Sequence, residues 1–211
     1  GDWSSDVCSS DLGLAIGAAQ IVWHEVLGNP RIQWKHNFTP YLGEIWDEDH
    51  FNNVVKKFPV NVIDCTLDDV IDLLNQGKIV SVFNEKSESG RRALGNRSIL
   101  ADPRRLDMKD IINEKVKHRK WFRPFAPSIL EEDASEWFLD YQESPYMQFV
   151  LKFKEDKKSL VPAVVHQDGT ARLQTVRKED NEWYYNFLTK WKEKSGVPII
   201  LNTSFNDREP I

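Results

Sequence analysis

Cysteine is scarce in this chain, and so are long apolar runs. Two cysteines occur in 211 residues, Cys8 and Cys65. The first lies in a segment that reads as foreign: residues 1–12, GDWSSDVCSSDL, have no apolar periodicity and do not lead naturally into the helical pattern of GLAIGAAQIVWHEVLG. They look like an in-frame translation of a sequencing-library adapter and are set aside as a cloning scar would be. Cys65 then has no intrachain partner, which excludes a disulfide scaffold and fits a reducing cytoplasm. Placed at the end of VNVIDC, it is expected as a packed strand residue and not as a nucleophile. No stretch approaches the roughly 20 apolar residues of a membrane-spanning helix, so no membrane partner is expected. There is no G-x-x-x-x-G-K-[ST] phosphate loop, no internal repeat and no low-complexity tract.

Positive charge is in the minority, with 28 Lys and Arg against 33 Asp and Glu. Ten of those cations nevertheless lie between Lys86 and Arg123. In a net-acidic chain such a local excess points to an anionic ligand. Lys109, Lys115 and Lys120 suit a solvated helix face, and Arg104 and Arg105 are also expected in solvent. Arg92 is different, because in SGRRALG it stands between Gly90 and Gly95. Glycine turns leave backbone N–H groups free to approach an anion, and a guanidinium beside them can grip a phosphate bidentately. Arg97 is expected to brace that loop.

The pattern predicts a small-residue helix over 13–28, closed before Asn29-Pro30, and a linker over 29–58 with a short helix near DEDHFNNVVKKF. Gly17, Ala18 and Ala19 suggest close packing of the first helix against another element. From residue 61 the order becomes regular. VNVIDC reads as a strand, TLDDVIDLLNQG as a helix with a Thr66–Asp69 capping box and a Gly77 stop, and KIVSVFN as a strand. DMKDIINEKVKHRKWF reads as an amphipathic helix ending near Trp121, followed by extended RPFAPSIL and a short helix EEDASEWFLD. YMQFVLKF and DGTARLQTV read as strands, NEWYYNFLTKWKEKSG as a helix closed by Gly196, and VPIILN as a buried strand. This mixture implies an α/β (α+β) domain over residues 60–211.

Three further clusters could carry chemistry. Lys117 and Arg119 can share one ligand only if their helix ends there, and Trp121 and Pro124 suggest that it does. Beside them, Trp121 and Phe122 are expected to pack in the core. In HQDGTARLQT, Asp168-Gly169 makes a turn, Arg172 opens a strand, and His166 suits a turn or packing role. LNTSFN places small polar groups directly after a buried strand, where α/β proteins bind ligands.

Taken in order, SGRRALGNRSILADPR, KHRKWFRPFAPSILEE, PAVVHQDGTARLQTV and GVPIILNTSFNDREPI resemble the C-terminal domain of the carbamoyltransferases of the nodulation and antibiotic-tailoring type. The resemblance covers residues 13–211. It implies a twisted open mixed sheet with helices, similar to the threonylcarbamoyl-adenylate synthases, whose K-x-R and S-x-N signature is matched by Lys117-His118-Arg119 and Ser204-Phe205-Asn206. It further implies that residues 13–59 are the last helix of an N-terminal domain of actin-like ATPase fold plus a linker. Residues 60–211 would then be a C-terminal domain cut short at its end.

The implied function is an ATP-dependent O-carbamoyltransferase, whose C-terminal domain makes carbamoyladenylate from carbamoyl phosphate and ATP. The carbamoyl group would pass to a hydroxyl-bearing small molecule or sugar held by the N-terminal domain, so this chain should manage the half-reaction at most. Arg92, Lys117 and Arg119 would be catalytic, and Arg123, Arg172, Thr203, Ser204 and Asn206 would bind ATP and substrate. ATP implies Mg2+, with Asp168 a candidate carboxylate and any further metal in the N-terminal domain. Two polyanions must meet, so cations have to cancel their repulsion, and carbamate is short-lived in water, so solvent must be excluded. The chain departs from the family pattern E-x-G-P-R-A-L-G, because Arg91 stands in place of the proline. Two alternatives remain, a stand-alone threonylcarbamoyl-adenylate synthase and a basic RNA-binding module.

Overall fold

A computed structural model describes residues 17–31, 39–58 and 60–207. Residues 1–16, 32–38, Pro59 and 208–211 lie outside the described residues, and with them the segment expected to be foreign at 1–12 and the first turn of the predicted 13–28 helix. The first described helix runs over residues 17–21 and continues as a wider π-type turn, Val22–Val26, before Gly28 takes a left-handed φ of 67°. Ala18 and Ala19 are exposed, and no atom lies within 4 Å of where a Cβ on Gly17 would sit. The expected close packing of this helix is therefore not made among the described residues.

Helix α1 (Glu48–Lys57) is the predicted short helix, and its N-cap Asp47 accepts from the His50 N–H at 2.8 Å. Residues 60–65 depart from the sequence expectation. VNVIDC pairs with no strand, Ile63 is 80% exposed, and Cys65 is exposed as well. A strand needs a neighbour for its backbone groups and one face to bury. This segment has neither among the described residues. Helix α2 (Leu67–Asn75) then starts on the predicted capping box, with the Asp69 carboxylate accepting from the Thr66 N–H at 2.7 Å and the Thr66 hydroxyl accepting from the Asp69 N–H at 3.3 Å. Gly77, at φ 78°, follows its last turn.

The core is a five-stranded mixed sheet in the order β1-β2-β7-β3-β6, formed by β1 (Val80–Phe83), β2 (Arg97–Ala101), β3 (Ala126–Leu130), β6 (Gln174–Val176) and β7 (Ile199–Ser204). Neighbours are antiparallel except β3 and β6, which are parallel. Strands β4 (Val150–Lys152) and β5 (Thr170–Arg172) form a separate antiparallel pair. The predicted strand DGTARLQTV is thus two strands, broken at Leu173, which serve different sheets. Every residue of β2, β3 and β6 is buried, as a sheet covered on both faces requires.

Helix α5 (Glu182–Ser195) buries Tyr184, Phe187, Leu188 and Trp191, packing on α2, β3 and β7. The Trp191 indole N–H donates to the Ile199 carbonyl at 2.7 Å. Gly196 ends α5 at φ 80°, as the sequence predicts. Arg104 is not solvated as expected. Its guanidinium lies 5.1 Å from the Trp191 ring, pairs with Asp102 at 2.7 Å and donates to the Ser195 carbonyl, tying the turn after β2 to the end of α5. Arg105 does remain at the surface, paired with Asp107.

Helix α3 (Met108–Ile111) continues through a π-type turn, Ile112–Val116, and stops at Lys117, earlier than the sequence pattern indicates. His118 takes φ 46°, a left-handed conformation that no helix can continue through. The chain beyond it is a loop leading to β3, which precedes helix α4 (Glu131–Trp137). Trp121 and Phe122 on this loop are 70% and 61% exposed, not packed in the core. Once the helix ends at residue 116, its apolar stripe no longer directs these rings inward.

Candidate anion site

The site is assembled from four segments that meet at one end of the sheet. The loop 86–96 carries Arg91 and Arg92. Its shape comes from Glu88, whose carboxylate accepts from the backbone N–H groups of Leu94 at 2.7 Å and Asn96 at 2.9 Å. Arg97 braces the same loop, as expected, by donating to the carbonyls of Asn84, Asn96 and Glu85 while its guanidinium stacks 3.6 Å from the Phe83 ring centre. Glu88 and Arg97 are thereby committed to the loop itself. Gly43 and Tyr41 bind the linker to this loop, through the Ser87 carbonyl and an isolated bridge to Glu88.

The second segment is the loop after α3. Asn113, almost fully buried, organises it by donating to the carbonyls of Trp121 and Arg123 and by accepting from Arg119 Nε at 2.7 Å. Arg119 also lies 4.8 Å from the Phe125 ring centre. One edge of its guanidinium is held, and the other has no hydrogen-bond partner among the described residues.

The early helix stop brings Lys117 to the end of β7, the third segment. Its ammonium donates to the Asn206 carbonyl at 2.7 Å, to Asn206 Oδ1 at 3.0 Å and to the Ser204 carbonyl, with the Ser204 hydroxyl at 3.4 Å. Ser204 also bonds Asn206 Oδ1. Lys117 and the Ser204–Asn206 pair, predicted separately, are therefore one unit. An ammonium has three protons to donate, and these are occupied by the chain itself, so Lys117 acts first as a brace for the strand end. Thr203, one residue earlier, lies opposite Ile99 of β2.

The fourth segment is β5, which presents Arg172. Its Nε is buried without a hydrogen-bond partner among the described residues. Burial first, then Arg92 and Arg119, hold the Arg172 guanidinium down to about 10. Burial and Arg91 lower Arg92 in the same way, and burial and Arg123 lower Arg119. Among the described residues, no carboxylate is among the charges acting on these three. Elsewhere the protein does pair its arginines, since Arg177 meets Glu143 at 2.5 Å and Asp180 at 2.7 Å. Mutually repelling, partly desolvated guanidinium groups with an orphaned donor are chemically suited to an anion, which would relieve the repulsion and accept from the free N–H.

Beside these cations is a cavity of about 170 Å³ lined by Gly90, Arg91, Arg92, Ser204, Phe205 and Asn206 among others. The structure thus unites the predicted Arg92, Ser204 and Asn206 in one hollow, with Lys117 beneath it and Arg119 and Arg172 near enough to act on one another electrostatically. Arg123 is exposed and does not line this cavity, but its charge acts on Arg119. Asp168 forms the predicted turn, its Oδ1 accepting from the Thr170 N–H and hydroxyl at 3.1 and 2.7 Å. His166 stays in that turn too, 3.1 Å from the Thr170 hydroxyl. Among the described residues no three His, Cys, Asp or Glu side chains gather to hold a metal, so the residues do not form a magnesium cage. Asn113, Gln174 and Asn202 escaped the sequence reading, although a polar residue in an otherwise apolar stripe was a usable signal for each.

Burial and Arg119 hold the Lys117 ammonium down to about 8 against the pull of Asp207. The charged form is disfavoured in the folded state, so this group lowers stability below pH 8, and stability recovers as pH rises from about 8 toward the ordinary lysine value. A deprotonated amine loses one donor, so the brace on Ser204 and Asn206 loosens over the same range. Pyrophosphate affinity, followed by calorimetry between pH 7 and 9.5, is expected to fall through about pH 8, and Lys117→Ala should remove that inflection.

A family model described as Carbamoyltransferase C-terminus matches residues 71–211. Nodulation protein NolNO of Sinorhizobium fredii is 52% identical over 139 residues, 64% of this chain and 20% of that protein. Nodulation protein NolO of Bradyrhizobium diazoefficiens is 41% identical over 215 residues, 95% of this chain and 38% of that protein. Among solved structures, full-length HypF in a phosphate- and nucleotide-bound form aligns with a TM-score of 0.48 at 16% identity, over 71% of this chain and 18% of that chain. The chain spans well under half the length of these relatives. Among the described residues, no helix is long and apolar enough to cross a membrane.

Proposed function

Because the chain belongs to the carbamoyltransferase family, carrying its C-terminal domain, we propose that the cationic site binds carbamoyl phosphate and ATP and forms carbamoyladenylate. The observation that carries this reading is Arg172, partly buried beside Arg92 and Arg119 with its Nε unpaired among the described residues. Such a group suits phosphate oxygens far better than solvent.

In the proposed half-reaction, water cleaves carbamoyl phosphate to carbamate and phosphate. A carbamate oxygen then attacks the α-phosphorus of ATP, and pyrophosphate leaves with the electron pair of the broken P–O bond. Arg92, Arg119 and Arg172 neutralise the two anions as they approach and meet the charge growing on pyrophosphate. Arg123, at the surface, draws anions in. Lys117 keeps Ser204 and Asn206 in place for the nucleotide. No side chain acts as a covalent nucleophile. A magnesium ion would come with the nucleotide, held mainly by its phosphate oxygens, and would supply further neutralisation of their charge. The acceptor, a small molecule or sugar with a free hydroxyl, belongs to the part of the longer proteins that precedes this domain.

The test is ATP–pyrophosphate exchange in the full-length parent. Exchange should depend on carbamoyl phosphate and drop by about tenfold in Lys117→Ala, on the scale of one charge-assisted hydrogen bond. Exchange that ignores carbamoyl phosphate, or survives Lys117→Ala intact, counts against the proposal. A second reading, an RNA-binding surface, is favoured by the exposure of Trp121 and Phe122 beside Arg119 and Arg123. It requires single-stranded RNA to bind with steep salt dependence and Trp121→Ala to weaken that binding.

A further inference from the structure

Arg92 and Arg172 repel each other, and among the described residues neither has a carboxylate to hold it in place. What keeps their segments together lies beneath them. Gln174 is two residues beyond Arg172, and its side-chain Nε2 donates to the carbonyl of Leu94, two residues beyond Arg92, at 3.0 Å. Its Oε1 accepts from the Ser128 hydroxyl at 2.6 Å and from Asn202 Nδ2 at 3.0 Å. Asn202 Nδ2 lies 3.0 Å from the Ala93 carbonyl as well, so the loop is gripped at two consecutive carbonyls. Ser128 and Gln174 are register partners across β3 and β6, and Asn202 lies diagonally from Ser128 across β3 and β7. All three side chains are buried. From outside the sheet, Tyr41 also reaches this loop, donating from its hydroxyl to the Leu94 carbonyl at 3.0 Å.

We propose that Gln174 is a positioning residue for the anion site, clamping the Arg92 loop through the Leu94 carbonyl to β6, which begins two residues after Arg172. The inference rests on the anion-binding reading above and adds the part that preassembles it. Polar side chains in a sheet interior are costly unless bonded, and here Gln174 uses both ends of its amide and Asn202 its Nδ2, while Asn202 Oδ1 has no hydrogen-bond partner among the described residues. Three strands contribute one each here, and their hydrogen bonds end on the backbone of the arginine loop. With the clamp in place, the guanidinium groups stand at their binding separation before the ligand arrives, so little ordering is required on binding. Without it, mutual repulsion drives them apart, and part of the binding free energy goes into bringing them back.

The experiment is calorimetric titration of the 211-residue chain with pyrophosphate, alongside thermal melting and amide hydrogen exchange. Gln174→Met keeps the side-chain volume and removes the clamp. Its pyrophosphate Kd is expected to rise about tenfold, the scale of one or two hydrogen bonds, and exchange should quicken at residues 94–96. In the full-length parent, the KM for ATP should rise while kcat at saturation stays within about twofold of wild type. Trp191→Phe, which loses the indole bond to Ile199 far from the site, controls for lost stability and should bind pyrophosphate as wild type does. Tyr41→Phe removes the donor that reaches Leu94 from outside the sheet and should weaken binding about threefold, even if Gln174→Met fails to fold. Unchanged affinity in the folded Gln174 and Tyr41 variants overturns the inference alone. Wild-type protein that does not bind pyrophosphate overturns it together with the reading on which it rests.

Discussion

Arg172→Met should weaken pyrophosphate binding by about 100-fold and leave the melting temperature unchanged or raised. The two effects have one cause. Arg172 is partly desolvated, its Nε has no partner among the described residues, and Arg92 and Arg119 both oppose its charge. In the ligand-free protein that charge is a burden on folding. Methionine keeps the packed stem of the side chain and removes the burden. With an anion bound, the same guanidinium makes charge-assisted hydrogen bonds worth about 1.5–3 kcal/mol each, and losing two of them accounts for a factor of about 100. Calorimetry and thermal melting on one preparation measure both quantities. A variant that binds normally would show that Arg172 faces no ligand, and one that melts far lower would mean its role is structural.

Gly95→Ala should cost about 2–6 kcal/mol of folding stability, a large share of the roughly 5–15 kcal/mol typical of a domain. Gly95 has φ 118°, where a side chain is strained by about 1–3 kcal/mol. A Cβ there would also stand 2.5 Å from the ring of Tyr184, a fully buried residue on α5. That ring has no room to retreat, and overpacking of this kind adds about 1–3 kcal/mol. Urea unfolding followed by tryptophan fluorescence gives the number. Because Gly95 sits in the loop that carries Arg92, any folded remainder should also bind pyrophosphate weakly. Near-native stability would mean that α5 and the loop are packed less tightly than the structure has them.

Local chemistry made several parts of the fold legible in advance. Thr66 and Asp69 mark the start of α2 because a capping box is complete within four residues, and Gly196 ends α5 because glycine readily takes the left-handed turn. The same holds for Arg97, whose bracing partners are within thirteen residues of it. VNVIDC misled because alternation states only that a segment could bury one face. Whether a neighbouring strand is present depends on residues far along the chain. The extent of α3 misled for a related reason: its apolar period continues past Lys117, but the Lys117 ammonium reaches Ser204 and Asn206, some 87 to 89 positions later, once the helix has stopped.

By itself, then, the sequence determined the mixed α/β class, most element positions and the four segments that carry the family resemblance. Tertiary structure alone decided which of the described cations meet a carboxylate and which do not. Arg104 and Arg172 look alike in sequence, each an arginine near a strand. One meets Asp102, Asn75 and the Ser195 carbonyl, and the other is opposed by Arg92 and Arg119, with no carboxylate acting on it among the described residues. Charge is a property of the residue, but its compensation is a property of the distances among residues remote in the chain. Only folding sets those distances.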